Sequence, residues 1–311
     1  MPYTIKESAC RQAAALLSTA SLRLNHPLAV SLPKSNPNAP GPPTVEDGLP
    51  PPRVFGAVRA DLDFDFDATD RLVLATAIAA RCSRADDAVD LPRRLEQAWA
   101  MPVGARIARL LRIVALTEGV DILAIALRCP DPDCAGTLEV DLPLERLLGD
   151  ATGGDARAPD AAIAVEVPTG KPVQLRRPTG NDQREWRAGS FPTKQEALLA
   201  VVRSLAAPAV EKLPLGESEL SLLAGAMEEV DPLTAFRVIT VCPHCGKEAP
   251  IPVDLEAEAL RRLANAQRAV LQEIYVLASR FGWSETEILA VPAKRRARYL
   301  RMVEASEETT P

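Results

Sequence analysis

Two short cysteine units, Cys129-Pro-Asp-Pro-Asp-Cys134 and Cys242-Pro-His-Cys245, constrain this chain more than any other feature. Each is followed by a glycine, Gly136 or Gly246, and then by an apolar stretch that contains Val-Asp-Leu, at Leu138–Leu142 and Ile251–Leu255. Each is preceded by an apolar run, Ile122 to Arg128 or Phe236 to Val241, of the kind that forms strands. Strand, Cys-Pro, tight turn, Cys, glycine and strand recur in both, a degenerate internal repeat of a zinc knuckle. A knuckle aims backbone amides at its sulfurs, and the glycine permits the left-handed conformation that closes the turn. Two knuckles supply four thiolates, the complement of a closed tetrahedral structural site. Cys129, Cys134, Cys242 and Cys245 are therefore expected to hold one structural zinc ion per chain. The first unit has four residues between its cysteines rather than two. The shared ion would clip together distant segments, with the insertion between them hung on the ribbon as a lobe. Three other readings of these residues stay open: unrelated reduced pairs, a degenerate site that has lost its metal, or a redox dithiol at Cys242 and Cys245. Redox dithiols sit at a helix N-terminus, whereas Gly246 and Pro250 follow here.

The rest of the chain reads as helices around that β core. Leu72, Ala75, Ala79 and Cys82 recur at helical spacing. A second helix runs from Pro92 to Trp99, and a third starts at Pro102, carries Ile107, Leu110, Leu111, Val114 and Ala115 on one face, and stops at Gly119. Asp61 to Asp67 alternates acid and apolar residues, which predicts a half-exposed strand. Residues 149–160 predict a loop. Ile163–Val167 and Val173–Arg176, joined by Pro168 to Pro172, predict a β-hairpin. Thr193 with Glu196 makes a capping box for the next helix, and Glu217 to Val230 another helix that Asp231-Pro232 breaks.

Leu260, Leu263, Gln267, Val270, Ile274, Leu277 and Phe281 form a heptad seam with one polar member, either a core-facing helix or one that docks on another subunit. Gly282 ends it, Ser284 with Glu287 caps a short helix, and Pro292 opens a last helix carrying Lys294 to Arg301. The expected class is α+β: helical segments around a zinc-ribbon-like β core, with a long C-terminal helix and a short helical tail. The expected divisions are an N-terminal helix at 1–24, a linker at 25–53 with nine prolines, a lobe with the split zinc ribbon at 54–255, a C-terminal helical hairpin at 256–304 and a tail at 305–311.

Charge and motif content narrow the function. A net charge of -6 and a pI near 5.2 make a poor general nucleic-acid binder, since phosphate neutralisation needs clustered cations. No apolar run is long enough to span a membrane. Ala13 to Leu22 reads as a short amphipathic helix rather than a signal peptide, which implies a reducing cytoplasm where cysteines are ligands. There are only two histidines, His26 and His244, and no phosphate loop, nucleophile elbow or metalloprotease helix. A closed thiolate shell leaves no position for a reacting water, so no enzymatic activity is expected.

Several segments carry a family resemblance. Trp99…Pro102-Val-Gly104…Arg106…Leu110-Leu111, Val173-Gln-Leu-Arg-Arg-Pro-Thr179, Asp231-Pro232, Cys242-Pro-His-Cys-Gly246 and Gly282-Trp-Ser-Glu-Thr-Glu-Ile-Leu289…Arg295-Arg…Tyr299-Leu300 are the residues concerned. Over roughly residues 99–303 the chain resembles the T-even bacteriophage baseplate hub assembly family and its relatives in extracellular contractile injection systems. The resemblance implies a non-enzymatic assembly factor or minor structural subunit, made in the bacterial cytoplasm and able to enter the finished tail particle. Its partners would be baseplate, hub or spike subunits, met through Trp283, Arg295, Arg296, Arg298 and Tyr299. Residues 1–98 carry no matching motif. The alternative is a zinc-ribbon regulator that binds nucleic acid through the basic last helix.

Overall fold

The computed structural model describes residues 49–84, 90–152, 163–167, 172–207 and 216–308. The expected N-terminal helix, most of the proline-rich linker and the Pro168–Lys171 turn lie outside the described residues. The class is α+β, helices with three small antiparallel sheets. Among the described residues no helix is long and apolar enough to cross a membrane.

Helix α1 (Arg71–Arg81) is capped by Asp70, whose carboxylate accepts from the Leu72 and Val73 amides. Its apolar spacing does what periodicity requires: Leu72, Ala75 and Ala79 are buried. Helix α2 (Leu91–Ala100) carries Pro92 in its first turn, and α3 (Val103–Glu118) buries Ile107, Leu110, Leu111 and Val114. Residues 49–53, the end of the proline-rich stretch, are pinned to this helical layer. Arg109 donates to the Pro50 carbonyl, and the Arg53 amide donates to the Cys82 carbonyl.

Asp61 to Asp67 is not a strand. Residues 59–61 form a 3-10 turn, and the following residues are turns. Asp61 is wholly buried, where it accepts from Arg53 Nη1 and Nη2 and from the Gly56 amide. Phe64 and Phe66 fold back onto Phe55. The carbonyls of Asp61, Leu62 and Phe64 gather around one side-chain amide, that of Gln267. No sheet neighbour takes part.

After α3, strand β1 (Ile122–Arg128) pairs with β2 (Thr137–Pro143) from Ile122↔Pro143 to Arg128↔Thr137. Helix α4 (Leu144–Thr152) follows at once and buries Leu144 and Leu147, so the first four residues of the expected loop at 149–160 are helical, and the rest of that loop lies outside the described residues. The insertion has its own core. Strands β3 (Ile163–Val165) and β4 (Val173–Leu175) pair as the expected hairpin. Helix α5 (Gly180–Ala188) and the capped helix α6 (Lys194–Leu205) follow, and strand β5 (Ala206–Ala207) adds to β4. Helix α7 (Glu217–Val230) closes this lobe, with Val173, Leu175, Val202, Leu205 and Leu223 packed together.

Strand β6 (Arg237–Val241) then pairs with β7 (Glu248–Pro252), and α8 (Leu255–Phe281) follows. The internal repeat is thus longer than a knuckle: each hairpin runs into a helix. The shared Val-Asp-Leu has two fates. In the first unit it lies within β2, whereas in the second Asp254 caps α8 by accepting from the Ala257 amide. The first half of α8 buries Leu255, Ala259, Leu260 and Leu263 in a main core shared with α1, α3 and both hairpins. Its second half is covered by α9 (Glu285–Ala290) and α10 (Ala293–Glu308), where Leu277, Ile288 and Val303 are buried. The heptad seam therefore faces its own chain at Leu260, Leu263, Gln267 and Leu277. The last helix runs on to Glu308, through residues expected to be tail.

Candidate metal centre

Each hairpin delivers its cysteines through hydrogen bonds that shape the turn. In the second unit, the Cys242 amide donates to the Lys247 carbonyl, and the Gly246 amide donates to the Cys242 carbonyl. Gly246 takes the left-handed conformation at φ +70°, as expected. In the first unit the Cys129 amide reaches the Gly136 carbonyl, two residues further along. The extra pair is absorbed by a turn at Asp131, whose carbonyl accepts from the Cys134 and Ala135 amides. Here Ala135, not the glycine, takes the left-handed position, at φ +48°. Gly136 is needed for another reason: a Cβ there would lie 2.4 Å from Cδ2 of His244.

The four sulfurs converge. Cys129 Sγ lies 3.8 Å from Cys245 Sγ, Cys134 Sγ lies 3.7 Å from Cys242 Sγ, and all four fall within 4.8 Å of one another. None is joined in a disulfide. Four sulfurs placed about 2.3 Å from a central ion define a tetrahedron with edges of about 3.8 Å. The cluster therefore has the dimensions of a tetrahedral thiolate shell and could hold one metal ion. Cys129 and Cys242 are buried against the main core, while Cys134 and Cys245 stand at a half-exposed rim.

Electrostatics favour a thiolate at one corner of the metal-free cluster. The amides of Cys245 and His244 point at Cys242 and pull its thiol down to about 6. At Cys129 the Asp131 amide pulls the same way, but burial and the neighbouring thiols outweigh it and push the thiol up to about 12. Cys82 stays apart: buried, 3.8 Å from Asp61 Oδ1, its thiol is pushed up by burial and by that carboxylate.

A second gathering of residues lies at the start of α3. The Val103 amide donates to the Pro178 carbonyl, and Pro102 bridges Thr179. The Gly104 amide donates to Asp231 Oδ2 at 3.1 Å, so closely that a Cβ on residue 104 would lie 1.6 Å from Asp231 Oδ1. Gly180 abuts both Trp99 and Arg106. Thr179 and Asp182 form a capping box that begins α5. Sequence reading passed over α5, although Thr-x-x-Asp is a visible start signal.

Asp231 gives this junction a pH dependence. Burial pushes its carboxyl up to about 6, against the pull of the Gly104 amide and Arg177. Between the ordinary value of 3.8 and about 6, the folded chain holds a proton that the unfolded chain has released. The stabilisation is thus full below the unfolded value and is lost as pH rises through the folded one. The Asp231→Asn variant should lack that loss. In urea unfolding it should gain roughly 1–3 kcal/mol on the wild type between pH 4 and pH 8. Metal binding strengthens in the opposite direction as thiols ionise, so the difference between the two proteins isolates Asp231.

The five residues expected to meet a partner are split. Trp283 stacks on Phe281 at a centroid separation of 5.0 Å, and Tyr299 meets both rings edge-on at 5.4 and 6.2 Å, an aromatic cluster that ties α10 to the end of α8. Arg295 and Arg298 are exposed and, with Lys294 and Arg301, make no ion pair among the described residues. Arg296 points inward instead. It is buried, donating to Glu273 at 2.9 Å and to the Val291 carbonyl. It is therefore a structural clamp within the described chain, not a surface contact. No family model, curated protein or solved structure matches the chain.

Proposed function

We propose that the chain holds one structural zinc ion at Cys129, Cys134, Cys242 and Cys245, in a zinc-ribbon-like core. We further propose that it serves as a non-enzymatic assembly factor or minor structural subunit of the baseplate hub of a contractile phage tail or extracellular contractile injection system. Thiolate ligands in a shell of this size suit zinc, and four protein sulfurs leave no open ligand position for catalysis. The observation that carries the assembly reading is the junction at the start of α3. Segments that resemble the baseplate hub family, scattered from Trp99 to Asp231, come together there through Gly104, Pro178, Thr179 and Asp231. Motif residues that meet at one junction are what a shared scaffold requires.

The partner-binding face in this reading is the aromatic cluster of Trp283 and Tyr299 beside Arg295 and Arg298, since aromatic and arginine side chains dominate the energy of interfaces. The test is affinity capture of the tagged protein from its native host. Baseplate, spike or hub proteins should be recovered, and Arg295→Glu with Arg298→Glu should abolish their recovery without changing thermal stability. Arg296→Ala should behave differently and cost roughly 1–3 kcal/mol of stability, because it removes a buried side chain together with its bonds to Glu273 and Val291. Normal contracting particles from a clean gene deletion would refute the assembly reading. The four exposed cations of α10 also favour a second reading, a nucleic-acid-binding regulator. It requires salt-dependent DNA binding that the same charge reversals remove.

A further inference from the structure

The two hairpins belong to separate sheets, and no backbone hydrogen bond joins one to the other among the described residues. Below the sulfurs they share the main core through Leu127, Leu138, Val238 and Ile251. Above the sulfurs, at the rim where Cys134 and Cys245 are half-exposed, two side-chain contacts cross between them. Lys247 Nζ lies 2.5 Å from Asp131 Oδ2. His244 Nε2 donates to the Thr137 carbonyl at 3.0 Å, with its ring laid against Gly136 in the space a Cβ would fill. A groove opens here, lined by Asp131, Asp133, Cys134, His244, Cys245 and Lys247.

We propose that the Asp131–Lys247 ion pair and the His244–Thr137 hydrogen bond form a latch across the mouth of the thiol cluster, and that this latch sets how fast the bound ion exchanges. The inference rests on the zinc reading above. The core closes the opposite side, so an ion leaves by the rim, and leaving requires Cys134 and Cys245 to part. Both latch contacts oppose that motion, because each ties the Cys134 turn to the Cys245 turn. Charge acts in the same direction. A divalent ion with four thiolates carries a net charge of about −2, and the Lys247 ammonium acts on Cys245 and Cys129 as well as on Asp131. Groups just outside the ligand shell orient the ligands, and their loss typically costs roughly 10- to 100-fold in metal affinity.

The test uses the full chain loaded with zinc. Release into excess chromogenic chelator is timed for the wild type, Lys247→Met, Asp131→Asn, His244→Phe and the conservative Lys247→Arg. All five should start with equal metal content and circular dichroism. The first three variants should release zinc roughly tenfold faster than the wild type or more, and Lys247→Arg should stay close to it. Release within about twofold of the wild type in all variants would overturn the latch while leaving zinc binding intact. Equal acceleration in Lys247→Arg would overturn the charge pairing. A wild type that takes up no zinc would overturn the zinc reading, and the latch with it.

Discussion

Serine at any one of Cys129, Cys134, Cys242 or Cys245 should empty the metal centre and remove most of the stability of the two hairpins. Serine is nearly the size of cysteine, so packing around Cys129 and Cys242 is disturbed little and the loss reports the ligand. Structural zinc in small domains contributes an apparent free energy of about 10–16 kcal/mol at neutral pH. A whole domain is stable by only about 5–15 kcal/mol. The hairpins have few substitutes for the ion, being two-stranded sheets with no backbone bond between them, and isolated hairpins are marginal in water. The helices α1, α3 and α8 pack on one another beneath and should persist, so helical circular dichroism should outlast the loss. Metal content by mass spectrometry should fall from about one ion per chain to near zero. Hydrogen exchange should quicken at the Cys129, Cys242 and Gly246 amides, which carry the turn bonds. Chelator should drive the wild type to the same state. Cys82→Ser, at a buried thiol far from the cluster in the sequence, should keep its metal. Full metal content with unchanged exchange in a Cys129→Ser chain would refute the centre.

What was legible in the sequence was local. The second Cys-Pro unit with its trailing Gly246, the boxes at Thr193 and Ser284, and the stop at Gly119 each operate within a few residues, and each appears as expected, whereas in the first unit Ala135 takes the left-handed place expected of Gly136. Asp61–Asp67 misled because its alternation was real but its partners lay outside it: Arg53, eight residues before, takes Asp61, and Gln267, over 200 residues away, takes the carbonyls. The same holds for two glycines. Gly136 and Gly104 look like turn or helix-start residues, but each is there because another segment, through His244 or Asp231, comes too close for a Cβ. Arg296 was readable after all. Arg296, Leu300 and Val303 fall at i, i+4 and i+7, the spacing of an inward face, and a run of basic residues obscured it.

Glu256→Leu should cost about 3–5 kcal/mol, the usual result of leaving one partner of a buried ion pair alone. Arg106 is fully buried and donates from Nε and Nη2 to Glu256 Oε2, at 3.2 and 2.8 Å. Nη2 also reaches Gln183 Oε1 at 2.6 Å, while Nη1 has no hydrogen-bond partner among the described residues. With Glu256 gone, a guanidinium in the core keeps one neutral acceptor and no countercharge. The reverse deletion is milder. In Arg106→Met, Glu256 still faces Arg71 Nε at 3.3 Å, and Arg71 also holds Asp254. The double variant Arg106→Met with Glu256→Leu should be more stable than Glu256→Leu alone, since an apolar pair of similar volume avoids burying either charge. Urea unfolding of the four proteins, zinc-loaded at pH 7, measures the cycle. An unfolding free energy for Glu256→Leu within about 1 kcal/mol of wild type would mean that Arg106 finds water or rearranges. The position of the pair gives it a second consequence. Glu256 is the second residue of α8, four residues beyond the end of β7, and Arg106 and Gln183 sit on α3 and α5. The pair therefore joins the second hairpin and the insertion lobe to the junction at the start of α3. Under the assembly role proposed above, Glu256→Leu should weaken partner capture even while its zinc content stays at the wild-type level.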